Sequence, residues 1–267
     1  VNVAARLQEQ GRDGDVVIGE STQRLVATQV TLEPLGSFAL KGRSGAVAAH
    51  RIVSLERPAG AATSPFVGRE SELARILSVY ETAVGKPATS LAVLLGSPGL
   101  GKSRLIDEVA RRLGDEATLM RAHCEAAGGA SFAPIAAALR ALPDLDAAVP
   151  GSDSERARVL AGIRALLAGS PASPEETFFV LRRLLAALAS DRPVVLVIDD
   201  VHWAEPLLLD LIEHLVQWGS GVPLLVLVGA RPELREIRTT LTTPGGLVSE
   251  VVTLAGLDAG AAMLDAQ

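Results

Sequence analysis

The sequence predicts an α/β protein, a parallel sheet sandwiched by helices, with a small α+β piece in front of it. Three observations carry that prediction. From about residue 66 onward, uninterrupted Val/Leu/Ile runs alternate with amphipathic stretches, the pattern of strands covered on both faces. The segment "VLLGSPGLGKSRLIDEVARRL", Val93 to Leu113, joins one such run to a helix through a glycine-rich turn. Upstream, "RPAGAATSP", Arg57 to Pro65, has no hydrophobic period and reads as a linker. A chain of 267 residues is long enough for two folded units, here 1–54 and 66–267 with residues 55–65 between them.

In the first unit "VNVAARLQEQ" suits a helix, "DVVIG" a short strand and "ESTQRLVAT" a second helix. "VTLEPLGSFALKG" and "AVAAHRIV" then form an antiparallel pair. In the second unit the strand candidates are "SLAVLLG" from Ser90, "ATLMRAH" from Ala117, "PVVLVIDD" from Pro193, "PLLVLVGAR" from Pro223 and "LVSEVVTL" from Leu247. Between the second and third lies a long region, Glu125 to Arg192, whose helical periods "SERARVLAGIRALLAG" and "ETFFVLRRLLAALAS" assign it to packing.

Composition narrows the function classes. Hydrophobic residues make up 48% and charged residues 21%, enough apolar content for buried cores. A formal charge of −6 argues against a dedicated nucleic-acid surface, which needs clustered positive charge, so no nucleic acid is expected on this stretch. The single cysteine, Cys124, has no intrachain partner, and beside His123 it lacks the further ligands of a zinc site. The longest apolar runs are shorter than the roughly 20 residues of a membrane-crossing helix, and no charged-then-apolar leader opens the chain. A cytoplasmic protein with no membrane segment is the expectation.

Gly96-Ser97-Pro98-Gly99-Leu100-Gly101-Lys102-Ser103 satisfies the spacing GxxxxGK[ST], and it stands directly after an apolar strand and before an amphipathic helix. Glycines there let backbone N–H groups turn inward onto anionic oxygens, and the positive end of the following helix adds to the field. Lys102 supplies a mobile charge for the β and γ phosphates, and the Ser103 hydroxyl a ligand for Mg²⁺. The metal also needs a carboxylate at the end of another buried strand, expected beside the first; "VVLVIDD" offers Asp199 for Mg²⁺ and Asp200 to orient or activate water. Taken alone, two aspartates there could simply cap the next helix; beside the cradle the metal reading is preferred for Asp199, while Asp200 leaves both open. "ATLMRAH" is the strand inserted between cradle and carboxylates, the ordering of additional-strand ATPases. Arg231, in "GARPE", leaves the carboxyl edge of the sheet, where it reaches a γ-phosphate or makes a plain surface salt bridge.

"FVGRESEL" from Phe66, the cradle, "VIDDVHWAEP" from Val197 and "VGARPE" together resemble the ATPase module of the signal-transduction ATPases with numerous domains, an AAA-related group. The resemblance covers Pro65 to the end of the chain. It implies ATP as the nucleotide, an AAA-like fold, and a place beside the base for Val67, Gly68 and Arg69. It also matches His202 and Trp203 to the "HW" after the aspartates, with Trp203 packing behind the site. In that family a lid and winged helix follow, and Gln267 falls within what looks like the first lid helix.

The opening "VNVAARL", with "LKG", resembles the carboxyl-terminal part of class III adenylate/guanylate cyclases over Val1 to about Ser54. That resemblance implies transition-state roles for Asn2 and Arg6, one helical turn apart, and a triphosphate contact for Lys41. It also implies a partner, the cyclase domain of a second copy, because class III sites form between two such domains. Their metal carboxylates belong to strands that would precede "VNVAARL", so this stretch alone is not expected to cyclise ATP. The reading that results is a Mg-dependent, ATP-binding and slowly hydrolysing switch ATPase fused to a cyclase. Two alternatives stay open: a piece of an active nucleotide cyclase in which the P-loop domain is a regulatory ATP/ADP clamp, and an ATP-dependent transcriptional regulator.

Overall fold

The computed structural model describes residues 3–8, 11, 15–26, 30–39, 46–54, 66–126, 128–143, 145, 149 and 152–256. The chain divides into two compact units, Val1–Pro65 and Phe66–Gln267. In the first, helix α1 (Val3–Gln8) precedes strand β1 (Val17–Gly19), helix α2 (Glu20–Val26) and the strands β2 (Thr31–Ala39) and β3 (Ala46–Ser54). The three strands form an antiparallel sheet in the order β1-β3-β2. Its core is small: among the described residues only Leu7, Val30 and Ala49 are buried apolar groups.

The second unit starts with helix α3 (Glu70–Gly85) and strand β4 (Thr89–Leu95), followed by helix α4 (Lys102–Leu113) and strand β5 (Thr118–His123). Helices α5 (Ala133–Arg140), α6 (Asp153–Leu167) and α7 (Pro174–Asp191) come next. Strand β6 (Val194–Asp199), helix α8 (Pro206–Trp218), strand β7 (Leu224–Ala230), the short helix α9 (Leu234–Ile237) and strand β8 (Glu250–Thr253) complete it. All five strands are parallel, in the order β5-β6-β7-β4-β8. Continuous apolar sequence follows from that topology, because alternate residues of the central strands enter different cores. Leu91, Val93 and Leu95 face the core built with α5 to α8, while Ala92 and Leu94 face the core under α3 and α4. The same alternation runs through β6 and β7.

This order corrects one expectation. The strand ending in Asp199 does not lie beside β4; "ATLMRAH" is inserted between the two in sequence, as expected, but does not stand between them in the sheet. β7 separates β4 from β6, and β5 sits at the sheet edge. Met120 and Ala122 are covered while Arg121 and His123 are exposed, so toward its carboxyl end only one face of β5 is covered. The linker and residues 257–267, where the lid helix was expected, lie outside the described residues.

Candidate functional site

The site grows from the carboxyl ends of β4, β6 and β7. Where β4 stops, the Gly96 N–H donates to Ala230 O at 3.1 Å and pins the start of the loop to the neighbouring strand. Gly99 and Gly101 then adopt φ of +81° and +88°, left-handed values that a side chain would strain. Gly101 is the residue that enters α4, so the amino end of this 12-residue helix faces the space the loop encloses. A cavity of about 360 Å³ lies there, and Gly99, Gly101, Lys102, Ser103, Asp200 and Arg231 are among its walls.

Lys102 is buried, and its Nζ donates to Gly96 O at 2.8 Å and to Ser97 O at 3.4 Å, so the ammonium is held across the loop it serves. Ser103 Oγ donates to Asp199 Oδ2 at 2.9 Å, and Asp199 Oδ1 accepts the Asp200 N–H at 2.9 Å. Asp199 makes the first contact across an intervening strand. It shares a face with Val195 and Val197, the face toward α4, and between it and Ser103 stands Gly229 of β7. A methyl built on Gly229 would overlap Asp199 Oδ1 and stand 3.3 Å from its Cγ. Gly229 is therefore a site residue that motif reading missed; a lone glycine closing the apolar run "LLVLV" was the available signal.

Asp200 is the one non-glycine residue with positive φ among those described, at 55°. That turn lifts its carboxylate off the strand end, 3.8 Å from His202 Nδ1 and 4.0 Å from His123 Nδ1. Burial lowers the pKa of His202, against the pull of Asp200. A neutral imidazole can accept, and Nδ1 does so from the Arg231 N–H at 3.4 Å. The Arg231 guanidinium lies 5.5 Å from the centre of the Trp203 ring and forms no ion pair with a carboxylate among the described residues. Trp203 does not pack behind the site as expected; it stays 42% exposed as the platform for Arg231.

In the "VGR" stretch only Arg69 reaches the loop. It is buried, pairs with Glu72 at 2.8 Å, and donates to Leu100 O at 3.5 Å and to Ala255 O. Burial opposes ionisation of Glu72, but hydrogen bonds from Ser71 and Arg69 outweigh it and hold the carboxyl below its ordinary pKa. Gly68 takes φ +75°, and its N–H donates to Glu70 Oε1 at 3.3 Å. Val67 and Gly68 do not border the cavity at the start of α4. Cys124 is buried, its N–H donates to Asp199 O at 3.0 Å, and burial with Asp200 and Asp199 nearby pushes its thiol up to about 12. Among the described residues no three His, Cys, Asp or Glu side chains gather as a metal cluster, and no helix is long and apolar enough to cross a membrane. Asn2, Lys41 and the Arg6 side chain lie outside the described residues; Arg6 contributes backbone to α1.

Sheet order, loop and helix define an additional-strand α/β fold of the P-loop class. More particularly, the AAA ATPase domain family matches residues 65–227, more than half of the chain, and the chain belongs to it. An uncharacterized protein of Rhizobium meliloti (strain 1021) is 26% identical over 260 residues, covering 86% of this chain and 25% of the relative. The chain thus spans about a quarter of that relative's length. Among solved structures, Cdc6p from Pyrobaculum aerophilum is similar at 18% identity and a TM-score of 0.48, over 74% of this chain and 48% of that one. The Aeropyrum pernix ORC1 protein, solved in complex with DNA, is similar at 17% identity and a TM-score of 0.48, with the same coverage.

Proposed function

We propose that this chain is the nucleotide-responsive part of a cytoplasmic multidomain signalling protein, a Mg-dependent switch ATPase that binds ATP and hydrolyses it slowly. The observation that carries the reading is the Ser103–Asp199 hydrogen bond at 2.9 Å, made across β7 and beside Lys102. A hydroxyl and a carboxylate so placed are hard oxygen donors, the chemistry that suits Mg²⁺. Ser103 and Asp199 would hold the ion, which when bound would supply positive charge to offset that of the phosphates. The chain's own residues supply the rest. Loop N–H groups and the start of α4 hold the anionic oxygens, and Lys102 exchanges its loop carbonyls for them. Asp200 orients the water that attacks the γ-phosphorus in line as the bond to the ADP oxygen breaks. Arg231, positioned by His202 and Trp203, meets charge developing on the γ-phosphoryl oxygens. Val67, Gly68 and Arg69 are assigned to the base end by the family resemblance, which Arg69 supports through its contact with Leu100.

The first unit is read as the carboxyl-terminal part of a class III cyclase domain on its sequence motif, with Asn2, Arg6 and Lys41 as a half-site that a second copy would complete.

The deciding experiment is calorimetric binding of Mg·ATP to the chain and to Lys102→Ala, with phosphate release followed on the same samples. Tight binding by the parent, its loss in the variant and slow phosphate release are expected. Equal binding by both proteins would overturn the reading, and binding with no release would make the module a clamp.

A further inference from the structure

A second cavity, of about 350 Å³, opens on the same edge of the sheet between the end of β5, the Gly128–Ser131 stretch and the entry to α8. The mechanism above does not use it. Its volume is that of a small-molecule pocket. Pro134, Leu208 and the exposed indole of Trp203 line it with apolar surface, and its carboxylates are Glu125 and Glu205. Glu205 leans over the loop, its Oε1 4.0 Å from where a Gly128 methyl would stand, and neither glutamate is ion-paired among the described residues. Arginine and lysine are absent from the lining. An apolar pocket with an aromatic face and acids as its charged groups, His123 aside, is complementary to an organic cation and hostile to an anion.

We propose that this pocket binds a small organic cation, an amine or guanidinium carried on a short apolar body, as an effector of the nucleotide site. Side-chain contacts connect the linings of the two cavities. His123 lines the effector pocket and stands 4.0 Å from Asp200; Trp203 lines it and carries Arg231. Asp200 and Arg231 are walls of the phosphate cavity. An occupant touching His123 and Trp203 therefore bears on the groups that meet the γ-phosphate, and by linkage nucleotide alters its affinity by the same factor. That coupling rests on the ATP-binding reading; cation binding does not.

Agmatine, a guanidinium and an ammonium joined by a short methylene chain, is the probe, titrated into the full chain by calorimetry without nucleotide. Saturable binding is expected, weakened at least about tenfold in Glu125→Gln/Glu205→Gln, the size of one charge-assisted hydrogen bond. A Trp218→Phe background leaves Trp203 as the only indole, and its emission should shift on binding. Both glutamates are exposed, so their amide isosteres leave the fold intact. No saturable heat at millimolar agmatine, or unchanged binding by the double variant, would overturn the proposal. Tighter binding of N-acetyl-arginine amide than of agmatine would assign the pocket to a protein side chain and overturn the small-ligand assignment. Agmatine binding in a chain that does not bind Mg·ATP would leave the site standing and remove only the coupling.

Discussion

Asp199 reaches Ser103 only because residue 229 has no side chain. Replacing Gly229 by alanine puts a methyl against Asp199 Oδ1, and the carboxylate has to leave its position between the Asp200 N–H and the Ser103 hydroxyl. Packing strain of this kind costs about 1–3 kcal/mol. The sharper expectation is functional: Gly229→Ala loses roughly tenfold or more of the Mg²⁺-dependent part of ATP affinity, while binding measured in EDTA stays near that of the parent. Equal losses with and without Mg²⁺ would mean general disruption and remove Gly229 from the proposed Mg²⁺ site. A glycine in an apolar run is visible in sequence, but its purpose is not, because clearance is a property of three strands at once.

Helix α4 carries both the start of the site and a buried acid. Lys102 and Ser103 occupy its first turn, and Leu105, Ile106, Val109 and Leu113 anchor its inner face. Glu108 is buried on the same helix and accepts from Arg111 Nε at 2.8 Å and from Arg112 Nε at 3.1 Å. The hydrogen bond from Arg111 holds the Glu108 carboxyl below its ordinary 4.5; burial opposes this and Arg112 adds to it. Because the folded value is depressed, the unfolded chain binds more protons in the interval between the two values, and stability rises with pH there. Glu108→Gln should therefore lower stability by about 1–2 kcal/mol above pH 4.5, a gap that closes as pH falls through the folded value. Urea unfolding of both proteins across that range measures it. A gap independent of pH would assign Glu108 a packing role alone. At this scale the helices and strands are legible from hydrophobic period, whereas strand order is not.

Across the whole molecule, the two units differ in how much core they own. Two large apolar clusters lie in Phe66–Gln267, while the described part of Val1–Pro65 buries Leu7, Val30 and Ala49. A fully buried Leu or Val contributes about 1.5–3 kcal/mol, so Leu7 and Val30, with the smaller Ala49, do not offset the entropy of ordering the described residues of this unit. A chain beginning at Phe66 is expected to fold cooperatively and to bind Mg·ATP within about twofold of the parent. A peptide of Val1–Pro65 should show no cooperative unfolding. Circular dichroism and the same calorimetry check both, and loss of folding in the Phe66 chain would refute the division.

The sequence by itself determined the parallel α/β class and the glycine-rich loop, and it singled out Lys102, Ser103 and Asp199 as candidates, because each is written in local period or contiguous spacing. Tertiary structure alone decided that β7 stands between β4 and β6, that Gly229 clears the path of Asp199, that Trp203 carries Arg231, and that His123 of a second cavity approaches Asp200 of the first. The physical reason is common to all four. Each depends on which strands are neighbours, and in a sheet of crossover-connected parallel strands that is settled by long-range packing that no local pattern encodes.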